Sequence, residues 1–417
     1  MSSFSNSKEN IKDQKGSFKL LEFVIYLLYF FGPLTGNVIV VLFHALSSDF
    51  KVLEDAILFA IPAFMFPFAI TQLFSGVLSD LKGRFPVLIT GLILFATAML
   101  LATLSFSLIM YIIANVMGGI GFGLINPILI ALMTDITDPP NIPKKMGYLG
   151  ASANLGVGLG PLIASQMIFI GWRSIYILFI VIALFGLIYS IMSARPPQKI
   201  PKESGFKILF SQLSKELRRI VVLLMIFSAV LISHTYLAIN IWTSRILSTQ
   251  ETIVGIILGI AGIGSAMTGI LTGIIIKKKS VGIPIIIGSI LLIISLIVFI
   301  GIGDISRTEN FPFLAVGWIL AGLAGGILFP TITYYSQVLS PSRRGALAGL
   351  LTAGYFIGIA LVPTTLKPIL AMFGITGLYG AILGISVVFI IILFLLYLLS
   401  RRIIVKAGLS SHQAGQN

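Results

Sequence analysis

Apolar runs recur along the whole chain, each closed by a short polar or charged stretch. A tilted helix needs roughly 20 residues to cross the hydrocarbon of a bilayer, and the runs divide into twelve segments near that length. They lie near 20–46, 54–79, 85–104, 108–134, 146–169 and 173–193, then near 220–242, 253–276, 283–302, 313–336, 346–369 and 374–400. The breaks at Ser105–Ser107 and at Gly171–Trp172 are short. The pattern predicts an all-α polytopic membrane protein. Its parts are a disordered tail at 1–19, a six-helix bundle at 20–193, a linker at 194–219, a second bundle at 220–400 and a tail at 401–417.

Composition agrees with the pattern. Of 417 residues, 57% are hydrophobic and 10% charged, and the mean hydropathy is +1.07. A soluble chain of this length needs more polar surface. No polar stretch is long enough for a soluble catalytic or motor domain, and no G-x-x-x-x-G-K-[ST] phosphate loop is present. Neither an enzyme nor an ATP-driven pump is expected. The absence of cysteine excludes disulfides and thiolate chemistry. His44, His234 and His412 are too scattered for metal-ligand spacing, so neither metal nor cofactor is expected.

The net charge is +14, but the basic residues sit at span ends rather than on an aromatic-interleaved soluble face, which argues against nucleic acid. Of the 28 basic residues, only Lys51, Arg173, Arg245, Arg307 and Lys367 fall in the loops opposite the termini. The positive-inside rule then puts both termini on the cytoplasmic side, and the cytoplasmic (plasma) membrane is the expected location. The three exposed-end cations Arg173, Arg245 and Lys367 are expected to snorkel to headgroups.

The two halves echo each other at an offset of about 200 residues. Lys144–Lys145 and Arg343–Arg344 each precede a Gly-rich span, Lys82–Arg84 is matched by Lys277–Lys279, and Gly171–Tyr176 is mirrored by Gly374–Tyr379. A repeated pair of bundles is a transporter architecture, with the substrate site between the halves near the midplane.

The sharpest local signal is Gly76-Val77-Leu78-Ser79-Asp80-Leu81-Lys82-Gly83-Arg84 at the end of the second span. It is similar to the G-x-L-x-D-x-x-G-R loop of the major facilitator superfamily, and the resemblance covers residues 20–400. It implies a major-facilitator fold of two six-helix pseudo-repeats and a conformational latch built on Gly76, Asp80, Gly83, Arg84 and an acidic partner, for which Asp135 is the candidate. Gly76 would allow close helix approach, Asp80 would accept hydrogen bonds at a helix N-terminus, and Gly83 would allow the turn. The second-half counterpart carries Lys277 in place of the aspartate, so a degenerate latch is expected there.

A second stretch, Gly150 to Ala164, resembles the Gly/Pro-rich motif of the family's drug/proton exchangers. Gly156 and Gly160 share a helix face that permits tight packing, and Pro161 removes one helix hydrogen bond. Gly171-Trp172-Arg173-Ser174-Ile175-Tyr176 resembles the usual start of the sixth span, with Trp172 and Tyr176 as interface anchors.

Asn115 departs from the pattern by standing where many of the proton-coupled exporters carry Arg. No Asp or Glu lies near the middle of any span, which argues against a deep cation site and against simple competition of drug and proton for one carboxylate. His234 is the mid-span group able to change protonation over the range of a proton gradient. Asn37, Gln72, Asn115, Asn126, Asn240, Trp318, Phe329, Tyr334, Tyr335 and Tyr355 are the other cavity candidates, with packing as the plain alternative for each. Neutral polar and aromatic walls suit amphipathic organic molecules.

The expectation is a monomeric secondary transporter that exports small lipophilic or amphipathic compounds by alternating access, in exchange for protons, with membrane lipid as its surroundings. A uniporter or importer of a sugar or small metabolite without proton coupling stays open, as does a nontransporting membrane sensor.

Overall fold

The computed structural model describes residues 2–138, 141–193, 205–278, 280–339 and 344–414. Much of the expected linker, 194–204, and Arg343 lie outside the described residues, as do the side chains of Lys144, Lys277 and Arg344. The described residues are helical with no strand. In chain order the α-helices are α1 (Ser2–Asn37), α2 (Phe43–Phe50), α3 (Glu54–Ile57), α4 (Ala60–Lys82), α5 (Arg84–Thr103), α6 (Leu108–Ile136), α7 (Ile142–Met167), α8 (Arg173–Met192), α9 (Phe206–Leu217), α10 (Ile220–Ile246), α11 (Glu251–Lys278), α12 (Gly282–Ile302), α13 (Phe311–Val338) and α14 (Arg344–Ala414).

Among the described residues, ten segments are long and apolar enough to span a bilayer. The last of these, Ala346–Ser400, divides at Gly374, whose φ of 65° and ψ of −165° interrupt the helix. The glycine-rich α7, 26 residues long, completes twelve crossings. An even count puts both chain ends on one face, called here the terminal face.

Local chemistry explains the breaks. Ser107 caps α6 by accepting from the Met110 amide. Gly171 and Gly374, which occupy matching places in the two halves, both have positive φ, a conformation that costs glycine least. The first span, expected to be continuous over 20–46, instead breaks after Asn37 into a 3-10 turn at Val38–Val41 and then α2. Just before the break, Asn37 Nδ2 donates to the Pro33 carbonyl at 2.7 Å. At the tails, α1 begins at Ser2 and α14 runs to Ala414. A span already nucleates the helix, so extending it needs only the small cost of propagation.

Helix neighbours repeat between the halves. Contacts of α1 with α7, α4 with α6, α5 with α6 and α5 with α8 recur as α10 with α14, α11 with α13, α12 with α13 and α12 with α14. The halves meet along two seams, α4 against α14 and α7 against α11. Because α4 corresponds to α11 and α7 to the first arm of α14, these are the same seam used twice about a pseudo-two-fold axis.

Candidate functional site

The turn between α4 and α5 gathers the charged motif. Gly83 has φ 100° and ψ 147°, which turns the chain so that Arg84 opens α5 directly below the end of α4. Arg84 Nη1 donates to Asp80 Oδ1 and, at 2.7 Å, to Ser79 Oγ. Its Nε lies 3.3 Å from Asp135 Oδ2 on α6. The Arg84 and Asp135 side chains are 8% and 4% exposed. One guanidinium thus joins three helix ends, a task suited to its planar fork of donors. Gly76 differs from expectation. A Cβ built there meets nothing within 4 Å, so no helix presses on it in this arrangement.

The glycines of α7 divide by face. Gly156 and Gly160 receive the backbone of α1: added Cβ atoms would lie 2.2 Å from the Phe30 carbonyl and 2.8 Å from that of Leu34. Gly158, on the other face, meets α11, where its added Cβ would stand 2.4 Å from the Gly262 Cα. Pro161 and Ser165 face Gly255 of the same helix. The seam continues to Asn154 against Gly269 and then opens, because Gly147, Gly150 and Gly273 have nothing within 4 Å. The sequence pattern singled out Gly156 and Gly160, which pack within their own half, and Pro161, whose carbonyl faces α11. It passed over Gly158, the one at the seam; only the partner glycine at 262 distinguishes the two faces.

The face opposite the termini is tied shut by charge. Arg245, at the end of α10, pairs with Glu54 and with Asp55, the latter at 2.8 Å. Lys367 of α14 lies 3.5 Å from Asp55, and His44 Nδ1 lies 3.3 Å from the Glu54 carboxylate. Arg245 and Lys367 therefore bridge the halves rather than snorkelling, since fixed carboxylates in reach hold a cation better than mobile headgroups. A groove of about 380 Å³ opens beside them, with Leu58 and Phe59 on one wall and Pro363, Thr364 and Pro368 on the other. Arg173 is also drawn inward: it donates to the Thr103 and Ser105 carbonyls at 3.0 and 2.8 Å, and pairs with Asp49. Trp172 and Tyr176 are buried, packed edge-on against each other and against Tyr111. They are core residues of the first half rather than interface anchors. Substituting Arg245 by Gln should loosen the seam on this face and increase labelling of a cysteine at Leu58 by a soluble thiol reagent several-fold. Unchanged labelling would show that the ion pairs do not hold the face closed.

His234 sits mid-span on α10, 5% exposed. Its Nε2 is 2.7 Å from Thr365 Oγ1 on α14, and that hydroxyl lies 2.8 Å from the Leu361 carbonyl. The carbonyl can only accept, so the hydroxyl hydrogen goes to it and His234 Nε2 is the donor. Nδ1 is then the bare acceptor, and it has no partner among the described residues.

The remaining candidates scatter. Tyr355 donates to the Phe329 carbonyl at 3.2 Å, and the Phe329 ring stands edge-on to Tyr355 and to Tyr236. Tyr236, not singled out from sequence, completes this cluster across α10, α13 and α14. Gln72 is buried with Nε2 unpartnered among the described residues. Asn37, Asn126 and Asn240 are buried. Asn115 donates to the Tyr111 carbonyl and lines a void of about 10 Å³ inside the first half, with Thr35, Phe64 and Tyr176, room for one water. Trp318 belongs elsewhere: it is 1% exposed and edge-on to Phe299, which stacks on Tyr379 in the core of the second half. Tyr335, also 1% exposed, packs beside Tyr334.

A family model described as Major Facilitator Superfamily matches residues 25–308 and 223–411. An uncharacterized MFS-type transporter, YvkA of Bacillus subtilis, is 31% identical over 157 residues, 37% of this chain and 35% of that protein. Multidrug resistance protein 1 of the same organism is 30% identical over 34% of this chain and 40% of its own length. Quinolone resistance protein NorA of Staphylococcus aureus is 26% identical over 46% of this chain and 49% of its own. The chain thus spans half or less of the length of these curated relatives. Among solved structures, the nucleoside transporter NupG superposes with a TM-score of 0.72 at 13% identity, covering 90% of this chain and all of that one. The human organic anion transporter MFSD10 gives 0.66 at 18%, covering 89% and 98%. At these identities the likeness is one of fold.

Proposed function

This chain belongs to the Major Facilitator Superfamily, and we propose that it exports small lipophilic or amphipathic organic compounds across the plasma membrane in exchange for protons, with its termini in the cytoplasm. The observation that carries the reading is His234, buried mid-span with Nδ1 unpartnered among the described residues, in a chain with no Asp or Glu near the middle of any span. Neutral walls favour partitioning of weakly polar solutes. His234 Nδ1 is the place for the proton. Imidazolium there, 5% exposed at a depth where no span carries Asp or Glu, is costly to keep dry, so a proton taken from one side leaves most readily when water reaches the site from the other. The multidrug and quinolone resistance proteins that the chain resembles support the export reading.

Alternating access fits the two seams. With the opposite face tied by Arg245, Lys367, Glu54 and Asp55, we read this arrangement as open toward the terminal face, a reading supported by the free space beside Gly76, Gly147, Gly150 and Gly273. In the other state the terminal ends close and those glycines meet a partner helix, with the Arg84 cluster holding the α4–α5 turn in position. Replacing Gly76 by Leu should leave the fold and its thermal stability unchanged and reduce transport by about tenfold or more, the effect of ~1.4 kcal/mol against one state. Wild-type transport in that variant would refute closure at this point.

Cells loaded with a lipophilic fluorescent dye should extrude it faster when they express the protein, and an uncoupler should abolish the gain. A second reading, uptake or facilitated diffusion of a small metabolite, draws on the lack of any mid-span carboxylate. It is favoured if the uncoupler has no effect on flux.

A further inference from the structure

The helix between the halves has a surface that the transport cycle leaves unused. α9 is 12 residues long, about 18 Å at helical rise, too short to cross a bilayer. Phe206, Phe210, Leu213 and Leu217 recur at i, i+4, i+7 and i+11 and so form one stripe. Three of them are substantially exposed, Phe210 at 56% and Phe206 and Leu217 at 40% each. Phe206 and Phe210 also touch the Phe74 ring of α4, at centroid distances of 6.4 and 5.9 Å. The stripe runs on into Ile220 at the start of α10, itself 61% exposed on a helix that continues into the membrane.

Charge is distributed to match. Lys207, Lys215 and Arg218 are exposed and lie off the apolar stripe. The acid of α9, Glu216, is buried and paired with Arg219 at 2.7 Å, and Arg219 also donates to the Leu339 carbonyl at the end of α13. That pair fixes the helix and leaves the three outer cations facing away from the protein. An apolar stripe bordered by cations is the pattern of a helix lying in the headgroup region, with its rings in the acyl boundary and its lysines reaching phosphates.

We propose that α9 is an interfacial helix that docks on anionic phospholipid headgroups at the terminal face. Its position gives the lipid leverage. It contacts α4 of the first half and α10 and α14 of the second, so it straddles the α4–α14 seam, and headgroup charge biases the movement of one half against the other.

The chain has no cysteine, which allows single nitroxide labels at Phe210→Cys, Leu217→Cys and Lys215→Cys on the full-length protein. In nanodiscs containing phosphatidylglycerol, labels at 210 and 217 should be shielded from a soluble nickel reagent and open to oxygen, with the reverse at 215. Shielding at 210 and 217 should fall in phosphatidylcholine alone, and also when Lys207, Lys215 and Arg218 are all changed to Gln. Two results would overturn the proposal. One is nickel access at both 210 and 217 in the anionic bilayer, which would leave the stripe in water or awaiting a protein. The other is equal shielding whatever the lipid charge, which would reduce the contact to apolar packing.

Discussion

Arg84→Ala is expected to unfold the protein at markedly lower temperature and to remove most of its transport. Breaking a buried ion pair by deleting one partner costs about 3–5 kcal/mol, because the remaining charge stays buried without compensation. Here one deletion takes the guanidinium away from two carboxylates, Asp80 and Asp135, the second with a side chain only 4% exposed. It also removes the donor to Ser79. Asp135→Asn should be milder, since a neutral amide still accepts from Arg84 Nε. Arg84→Lys should recover part of the loss but not all, because an ammonium cannot reproduce a fork whose Nε and Nη1 serve different acceptors. Thermal unfolding of the purified variants checks the order alanine, lysine, asparagine from most to least damaging. An alanine variant as stable as the parent would mean that the cluster is not what joins α4, α5 and α6.

Gly158→Leu is expected to abolish transport while leaving each half folded. The added Cβ would stand 2.4 Å from the Gly262 Cα. Backbone stands on the far side of the contact, so no side chain is available to swing away, and α7 and α11 must separate. Overpacking of this kind costs about 1–3 kcal/mol, borne by the seam between halves rather than by either bundle. Gly150→Leu is a control for stability alone, since nothing lies within 4 Å of that position in this arrangement. It should retain stability equal to the parent. A Gly158→Leu protein that moves dye at the parental rate would show that the seam need not be tight at this level.

The membrane spans are readable in the sequence because hydrocarbon imposes a length, and twelve such lengths survive translation into helices. The charged loop is readable because its parts are close in sequence: Gly83 has the positive φ that its place in the turn requires, and the motif points to Asp135, whose carboxylate lies 3.3 Å from Arg84. What sequence hides is facing. A span that is apolar all round carries little 3.6-residue periodicity to say which side meets lipid. For that reason Trp318, read as a cavity candidate, turns out to be core, and Trp172, read as an interface anchor, is packed against Tyr111 and Tyr176. Contacts between halves are hidden for a different reason. Arg245 and Asp55 are separated by 190 residues, and each alone looks like an ordinary charged span end. The break after Asn37 is not legible either: Asn37 bonds back to Pro33, but Asn115 makes the same bond to Tyr111 inside an unbroken α6.

The proposed exchange is tested most directly by following solute and protons together. The full-length protein is reconstituted in liposomes with an internal pH dye, an imposed inward proton gradient and a lipophilic fluorescent substrate. The account predicts substrate-dependent proton entry that is lost in His234→Gln, a variant that keeps a hydrogen-bond donor toward Thr365 but cannot take up a proton. Substrate movement with no accompanying proton movement, equal in the parent and the variant, would contradict it and return His234 to a packing role between α10 and α14.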